Sequence, residues 1–439
     1  MNSFLMASFL SGCGGHQTLK PDEPLPYPEG DTSPSDTSDT NDTGECVPET
    51  CDGTIDPNQV NDNTANCILF TEKSADAGLN SSASHAGASL VDYDQDGLKD
   101  IFLLNYQSPN QMFQNIGGGI FQDVSDTTKL SVGGDSRHAE WADYDGDGDL
   151  DLLLSGFDGN SLYRNNAGVF TLLSDPDGIH DSDSSATAAW IGAGSAGSGF
   201  LIATDNGTRF YPHASGDQFV STDSRQQAED IGLDDVGTGS AIALADYDGD
   251  GNDDIYLANQ TGRNRLFKNN GDGTYQSVEE DVGAVENGND ASTDVTWQVY
   301  SNDSLPSIYV ADYDGSNHFY RNQGDGTFID QAADLGIEGQ GQTTHVAWGD
   351  YLNNGFPALF LGQWQQENLF YHPLIASDGT ISNYQNLAHA VGIDDNSTTM
   401  TSGWLDDDAD GDLDLFVVMY DGGIRLYQNN SHEVQQCFE

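Results

Sequence analysis

Aspartates spaced two apart are the residues here whose chemistry stands out. Four stretches share the pattern: Asp92-Tyr-Asp94-Gln-Asp96-Gly-Leu98-Lys-Asp100, Asp143-Tyr-Asp145-Gly-Asp147-Gly-Asp149-Leu-Asp151, Asp246-Tyr-Asp248-Gly-Asp250-Gly-Asn252-Asp-Asp254 and Asp406-Asp-Asp408-Ala-Asp410-Gly-Asp412-Leu-Asp414. Oxygen ligands at alternate positions of a tight loop converge on one hard cation. The glycine at the sixth position permits the sharp turn, the seventh residue offers its backbone carbonyl, and the ninth supplies the last carboxylate. Six or seven flexible oxygens suit calcium better than the strict octahedron of magnesium, so about four Ca²⁺ are expected. An EF-hand would need a glutamate twelfth in the loop. Leu103, Leu154, Leu257 and Val417 stand there instead.

The four loops are register marks of a longer repeat. Weaker copies place Gly192, Val299 and Asp350 at the first loop position, and the seven marks follow one another at 51, 49, 54, 53, 51 and 56 residues. Two residues before the marks stand Leu90, Trp141, Trp190, Leu244, Trp297, Trp348 and Trp404, so five of the six tryptophans share one repeat position. The third, fifth and sixth copies lack the full acid set, and no strong metal site is expected in them. Asp312-Tyr313-Asp314-Gly315 mimics a loop start but aligns with a later turn, at Phe157-Asp158-Gly159.

Each loop leads into an apolar run such as IFLL, IYLA or LFVV, then a polar turn, then a run such as LYRN or LFKN, then a Gly-rich turn and an aromatic residue. Short β-rich runs bounded by Gly, Asn and Asp read as strands, about four per repeat. Seven four-stranded units predict an all-β fold, a seven-bladed β-propeller that closes on itself and so protects its sheet edges. Residues 69–79, LFTEKSADAGL, resemble the end of a repeat. They are expected to supply the strand that completes the last blade. Helix is expected only as short turns near 226–233 and 385–391.

Lys plus Arg number 13 and Asp plus Glu 72, a formal charge of −59. Phosphate binding needs a basic footprint, so nucleic acid and anionic membrane are excluded as partners. Four Ca²⁺ would bring the charge only to about −51, and most of the acid must therefore be solvated surface. The apolar run Phe4–Leu10 followed by Ser11-Gly12-Cys13 looks like a bacterial lipobox with Cys13 lipidated, although no Lys or Arg precedes it. The predicted organisation is a lipoprotein signal over 1–13, a Pro/Asp/Ser/Thr-rich disordered tether over 14–66, and the propeller over 67–439. Cys46, Cys51, Cys67 and Cys437 remain, and three pairings are open. The preferred set is Cys46–Cys51 with Cys67–Cys437, the latter stapling the ends of the ring.

The loops and their LYRNNGDGTF-like continuation resemble FG-GAP/VCBS repeats, found in integrin α-subunit propellers and in cartilage-acidic-protein-like bacterial proteins. The resemblance covers residues of about 69 to 438. It implies a propeller with calcium held in hairpin loops on one face, ligated by the aspartates at positions 1, 3, 5 and 9 of the four intact loops. Such calcium is expected to stabilise the fold rather than to catalyse. His85, His138 and His345 lie before loop starts and are expected to be structural. Trp364, off the shared register, is the tryptophan expected to be exposed. No P-loop, zincin spacing or nucleophile elbow is present. The expectation is a monomeric, exported adhesion or ligand-binding module with a protein or glycan partner, anchored to membrane only through lipid. A secreted polysaccharide lyase or hydrolase built on a propeller is the competing reading.

Overall fold

A computed structural model describes residues 69–431 apart from positions 158, 174–178, 180–183, 193–196, 221–222, 285–290, 301–304, 340 and 422. The first blade sets the pattern. After the closing strand β1 (Phe70–Glu72) come β2 (His85–Val91), β3 (Asp100–Asn105), β4 (Gln111–Asn115) and β5 (Phe121–Asp123). They pair antiparallel in chain order, β2 to β3 to β4 to β5. Successive hairpins are the local solution for runs bounded by turn residues. Six such sheets follow the chain, and a seventh is completed by β1, which pairs with the last strand Ile424–Asn429 through Phe70↔Asn429, Thr71↔Gln428 and Glu72↔Tyr427. The fold is a seven-bladed β-propeller, closed by its own N-terminal strand as the sequence of residues 69–79 predicts.

The second strand of every blade is an apolar run buried along its length, as in Ile101–Leu104 and Leu415–Val418. Both of its faces are covered because each blade packs between two others, so the run is continuous rather than alternating. The shared tryptophans fill the spaces between blades. Trp141 of the second blade meets Phe102 of the first at 5.7 Å, and its indole N–H donates to Ser89. Trp348 meets Tyr309 of the preceding blade at 5.8 Å, and Trp404 stacks on Tyr351 at 6.3 Å. These contacts pack the half-buried tryptophans against the core, each aromatic pair worth about 0.5–1.5 kcal/mol beyond the area it buries.

Helical turns lie at Ser224–Asp230 and Ala388–Val391, as expected, and also at Ser125–Thr128, Glu279–Val282 and Ala332–Leu335. The last three are single turns with no apolar periodicity of their own to read. Cys13, Cys46, Cys51, Cys67 and Cys437 lie outside the described residues. No helix among the described residues is long and apolar enough to cross a membrane.

Candidate metal centres in the aspartate loops

Each aspartate loop joins the first and second strands of its blade. In the first, β2 ends at Val91 and β3 begins at Asp100, itself the ninth loop residue. The first aspartate organises the turn: Asp92 accepts from the backbone N–H of Asp96 and of Gly97, both at 3.0 Å. Asp406 repeats this with Asp410 and Gly411, both at 3.1 Å. The sixth-position glycines need their freedom, with φ of +92° at Gly97 and +95° at Gly411, a region costly for other residues.

The loops gather carboxylates. Asp92, Asp94 and Asp96 bring one oxygen each within 4.8 Å of the others, as do Asp246, Asp248 and Asp250. In the second and seventh blades the close sets are Asp143, Asp145 and Asp151, and Asp406, Asp408 and Asp414. These are the only groups of three or more potential ligands among the described residues. The positions named by the sequence are thus brought together, with one variation: position 5 or position 9 completes the trio. Asp147 and Asp410, at position 5, are exposed. At position 7, Leu98, Asp149 and Asn252 lie on the loop rim, whereas Asp412 is buried.

The ninth aspartate has a second task that its spacing does not reveal. Asp100 accepts from the backbone N–H of Tyr93 at 3.3 Å and of Asn115 at 2.8 Å. Asp151 does the same with Tyr144 and Asn165, Asp254 with Tyr247 and Asn269, and Asp414 with Asp407 and Asn429. It latches the loop to the third strand. The asparagine then reaches across to the neighbouring blade: Asn165 donates to the carbonyl of Tyr93, Asn429 to that of Tyr351 and Asn115 to that of Asp407. Asn322 does the same with the carbonyl of Tyr247, whereas Asn269 donates within its own blade, to Asp253; the Asn that ends the LYRN-like run is the signal for this clip, legible only once blades are adjacent.

Burial pushes the carboxyls of Asp100, Asp151 and Asp254 up to about 7, despite their backbone donors. Burial and the neighbouring Asp407 carboxyl push Asp414 to about 9. Burial, followed by adjacent carboxylates, also raises Asp94 and Asp408. Carboxylates outnumber cations in every loop, and a divalent cation would relieve both desolvation and mutual repulsion. Buried carboxylate oxygens of Asp94, Asp407 and Asp412 have no hydrogen-bond partner. The donor set, all hard oxygen, fits calcium.

One loop differs. Lys268 sets its ammonium against Asp248 and lies 3.3 Å from Asp250. The corresponding residues of the first and seventh blades are neutral amides, Gln114 donating to Asp94 and Gln428 to Asp408, both at 2.6 Å. The sixth copy shows what sequence decay leaves behind. Asp350 still accepts from Asn354 at 3.0 Å and Gly355 at 2.7 Å, yet Leu352 and Ala358 stand where the third and ninth aspartates would be. The turn persists without the ligands.

The three histidines have separate surroundings. His85 is fully buried with Nδ1 2.6 Å from the Asn105 side chain, His138 lies 3.8 Å from Glu140, and His345 lies 3.6 Å from Asp294. They do not form a cluster.

Fold and loops together define a β-propeller built of FG-GAP-like repeats. A family model described as FG-GAP-like repeat matches residues 92–154, 246–297 and 300–361. Cartilage acidic protein 1 of Xenopus tropicalis is 30% identical over 93 residues, which take in 21% of this chain and 14% of that protein. Among solved structures, the extracellular domain of a one component system of B. thetaiotaomicron is 15% identical, with TM-score 0.49, over 83% of this chain and 40% of that one. BBS1N, solved in complex with ARL6DN, is 10% identical over 79% of this chain and 92% of its own, with TM-score 0.49.

Proposed function

We propose that this chain is an exported, calcium-stabilised propeller acting as an adhesion or ligand-binding scaffold, with calcium held by Asp92, Asp94, Asp96 and Asp100 and their counterparts in three other blades. The observation that carries the proposal is the convergence of three carboxylate oxygens within 4.8 Å in each intact loop. Like charges packed so closely need a cation to offset their repulsion. When bound, calcium supplies that charge and ties the first hairpin of the blade to itself; the chain's own ninth aspartate carries the tie on to the third strand. A propeller with FG-GAP-like repeats offers two faces and a rim for binding, and its metal loops occupy one face only. Export is supported by the lipobox-like Cys13 and by a charge of −59, which suits a calcium-containing exterior.

Calcium content of the purified chain and its melting with and without EGTA test the reading. About four ions per chain and a melting temperature lower by several degrees in EGTA are expected. A chain that holds no calcium and melts identically in chelator sinks it.

A further inference from the structure

The face away from the aspartate loops carries a second ordered set of side chains. The residue following the second strand of a blade is pinned there by one repeated bond: its backbone N–H donates to the carbonyl of the residue just before the innermost strand. This holds for Tyr106, Tyr313, Trp364 and Tyr420, each at 2.9 Å, and for Phe157 at 3.1 Å. Five of seven blades thus place an aromatic ring at the same point, between the two innermost strands. In the third blade the pinned residue is Asp205, and in the fourth the corresponding residue is Gln260, one after Asn259 as Tyr106 is one after Asn105.

Four of the rings form an unbroken arc across consecutive blades. Tyr106 lies 5.8 Å from Tyr420, Tyr420 lies 6.4 Å from Trp364, and Trp364 lies 6.2 Å from Tyr313. All four are partly exposed, and Phe157 is 37% exposed. Trp364 thus lies at the opposite end of its blade from the position of the other five tryptophans, which sit two residues before the loop marks. Exposed planar groups alternate with the rings: Asp314 follows Tyr313, Gln365 follows Trp364 and Asp421 follows Tyr420.

We propose that this arc is a carbohydrate-binding site that stacks the pyranose rings of a neutral glycan. The proposal rests on the ligand-binding reading above and names the class of ligand. The C–H face of a sugar carries the partial positive charge that the negative face of an aromatic ring attracts. Carboxylates and amides beside the rings accept and donate hydrogen bonds to hydroxyl groups. A polyanionic chain is disfavoured by the −59 charge. The fifth ring, Phe157, is already covered by the Arg137 guanidinium at 4.2 Å, which leaves the four-ring arc as the open part of the set. The gap in the aromatic set at the third and fourth blades gives an extended oligosaccharide a way out of the arc. Backbone pinning holds the rings in place before the ligand arrives, which lowers the ordering cost of binding.

The test titrates the calcium-loaded full chain with cellohexaose, maltohexaose, xylohexaose and chitohexaose, alongside polygalacturonate and an arginine-rich peptide, reading tryptophan fluorescence and calorimetry. Saturable binding of a neutral hexaose is expected, weakened about tenfold or more in Trp364→Ala and Tyr420→Ala and restored in Trp364→Phe. Chelator melting of each variant, unchanged from the parent, shows that the propeller and its calcium response are intact, so the two readings fail separately. Absence of binding to all four hexaoses, binding that survives both alanine substitutions, or binding of the peptide or polygalacturonate alone overturns the proposal.

Discussion

Lys268 sets the fourth-blade aspartate loop apart: the second blade's Arg164, at the same repeat position, pairs with Asp217 instead. The Lys268 ammonium rests against Asp248 where the first and seventh blades present Gln114 and Gln428. A fixed monovalent charge beside these ligands partly neutralises them and opposes a divalent ion. Lys268→Met is therefore expected to raise calcium affinity at the fourth blade. In EGTA the same variant is expected to lose about 1 kcal/mol, the usual size of a partly exposed ion pair. Calcium titration by calorimetry, paired with melting in chelator, reads both effects, and equal calcium affinity in the two proteins would remove Lys268 from the site. The sequence holds both the lysine and the loop, but their meeting depends on the pairing of the second and third strands, a long-range fact that loop spacing does not contain.

At the scale of the element, the hairpin loop with its latch is the unit, and its pH response follows from burial. Asp100, Asp151 and Asp254 titrate near 7 when folded, against an ordinary value near 3.8. Between those values the folded chain binds protons that the unfolded chain does not, so stability without metal falls as pH rises from about 4 to about 7. His372, lowered to about 4 by burial beside Tyr351, and His85, also lowered by burial, have the opposite slope below 6.5, but they are two groups against the four raised ninth-position aspartates, Asp414 included. Calcium needs the carboxylates ionised. The expected outcome is a larger calcium-induced rise in melting temperature at pH 8 than at pH 5, and a rise independent of pH would show that the latch carboxylates are not linked to metal. The strands of these hairpins were legible from alternating turn residues and apolar runs, and the loops from their aspartates. The latch was not, because Asp100 at position 9 looks like one more ligand until Asn115 is brought beside it. The turn at Ser125–Thr128 was equally hidden, for four residues carry no helical period.

For the whole molecule, seven repeats of about 50 residues left little choice of architecture, and the partial repeat at residues 69–79 marked where the ring would close. What repetition could not disclose is how evenly the two faces are furnished, since the aromatic arc is scattered over more than 300 residues of chain, from Tyr106 to Tyr420. The closing strand also bears on the preferred cysteine pairing. Leu69 accepts from the backbone N–H of Asn430 at 2.8 Å, two residues after Cys67 and seven before Cys437. A non-reducing peptide map is expected to join Cys67 to Cys437, and a map that pairs Cys67 with Cys46 or Cys51 would discard the staple. The seam has a mechanical consequence. With the expected Cys67–Cys437 bond reduced, a pull on the chain ahead of Leu69 enters the ring through β1, whose ladder with the last strand runs through only three residue pairs. Those pairs lie beside the seventh-blade loop, where Asp414 is bonded to Asn429, the residue opposite Phe70. In the reduced chain, traction on the amino terminus is thus resisted first at a joint beside an aspartate loop, and the force this molecule can carry should depend on whether calcium fills that loop.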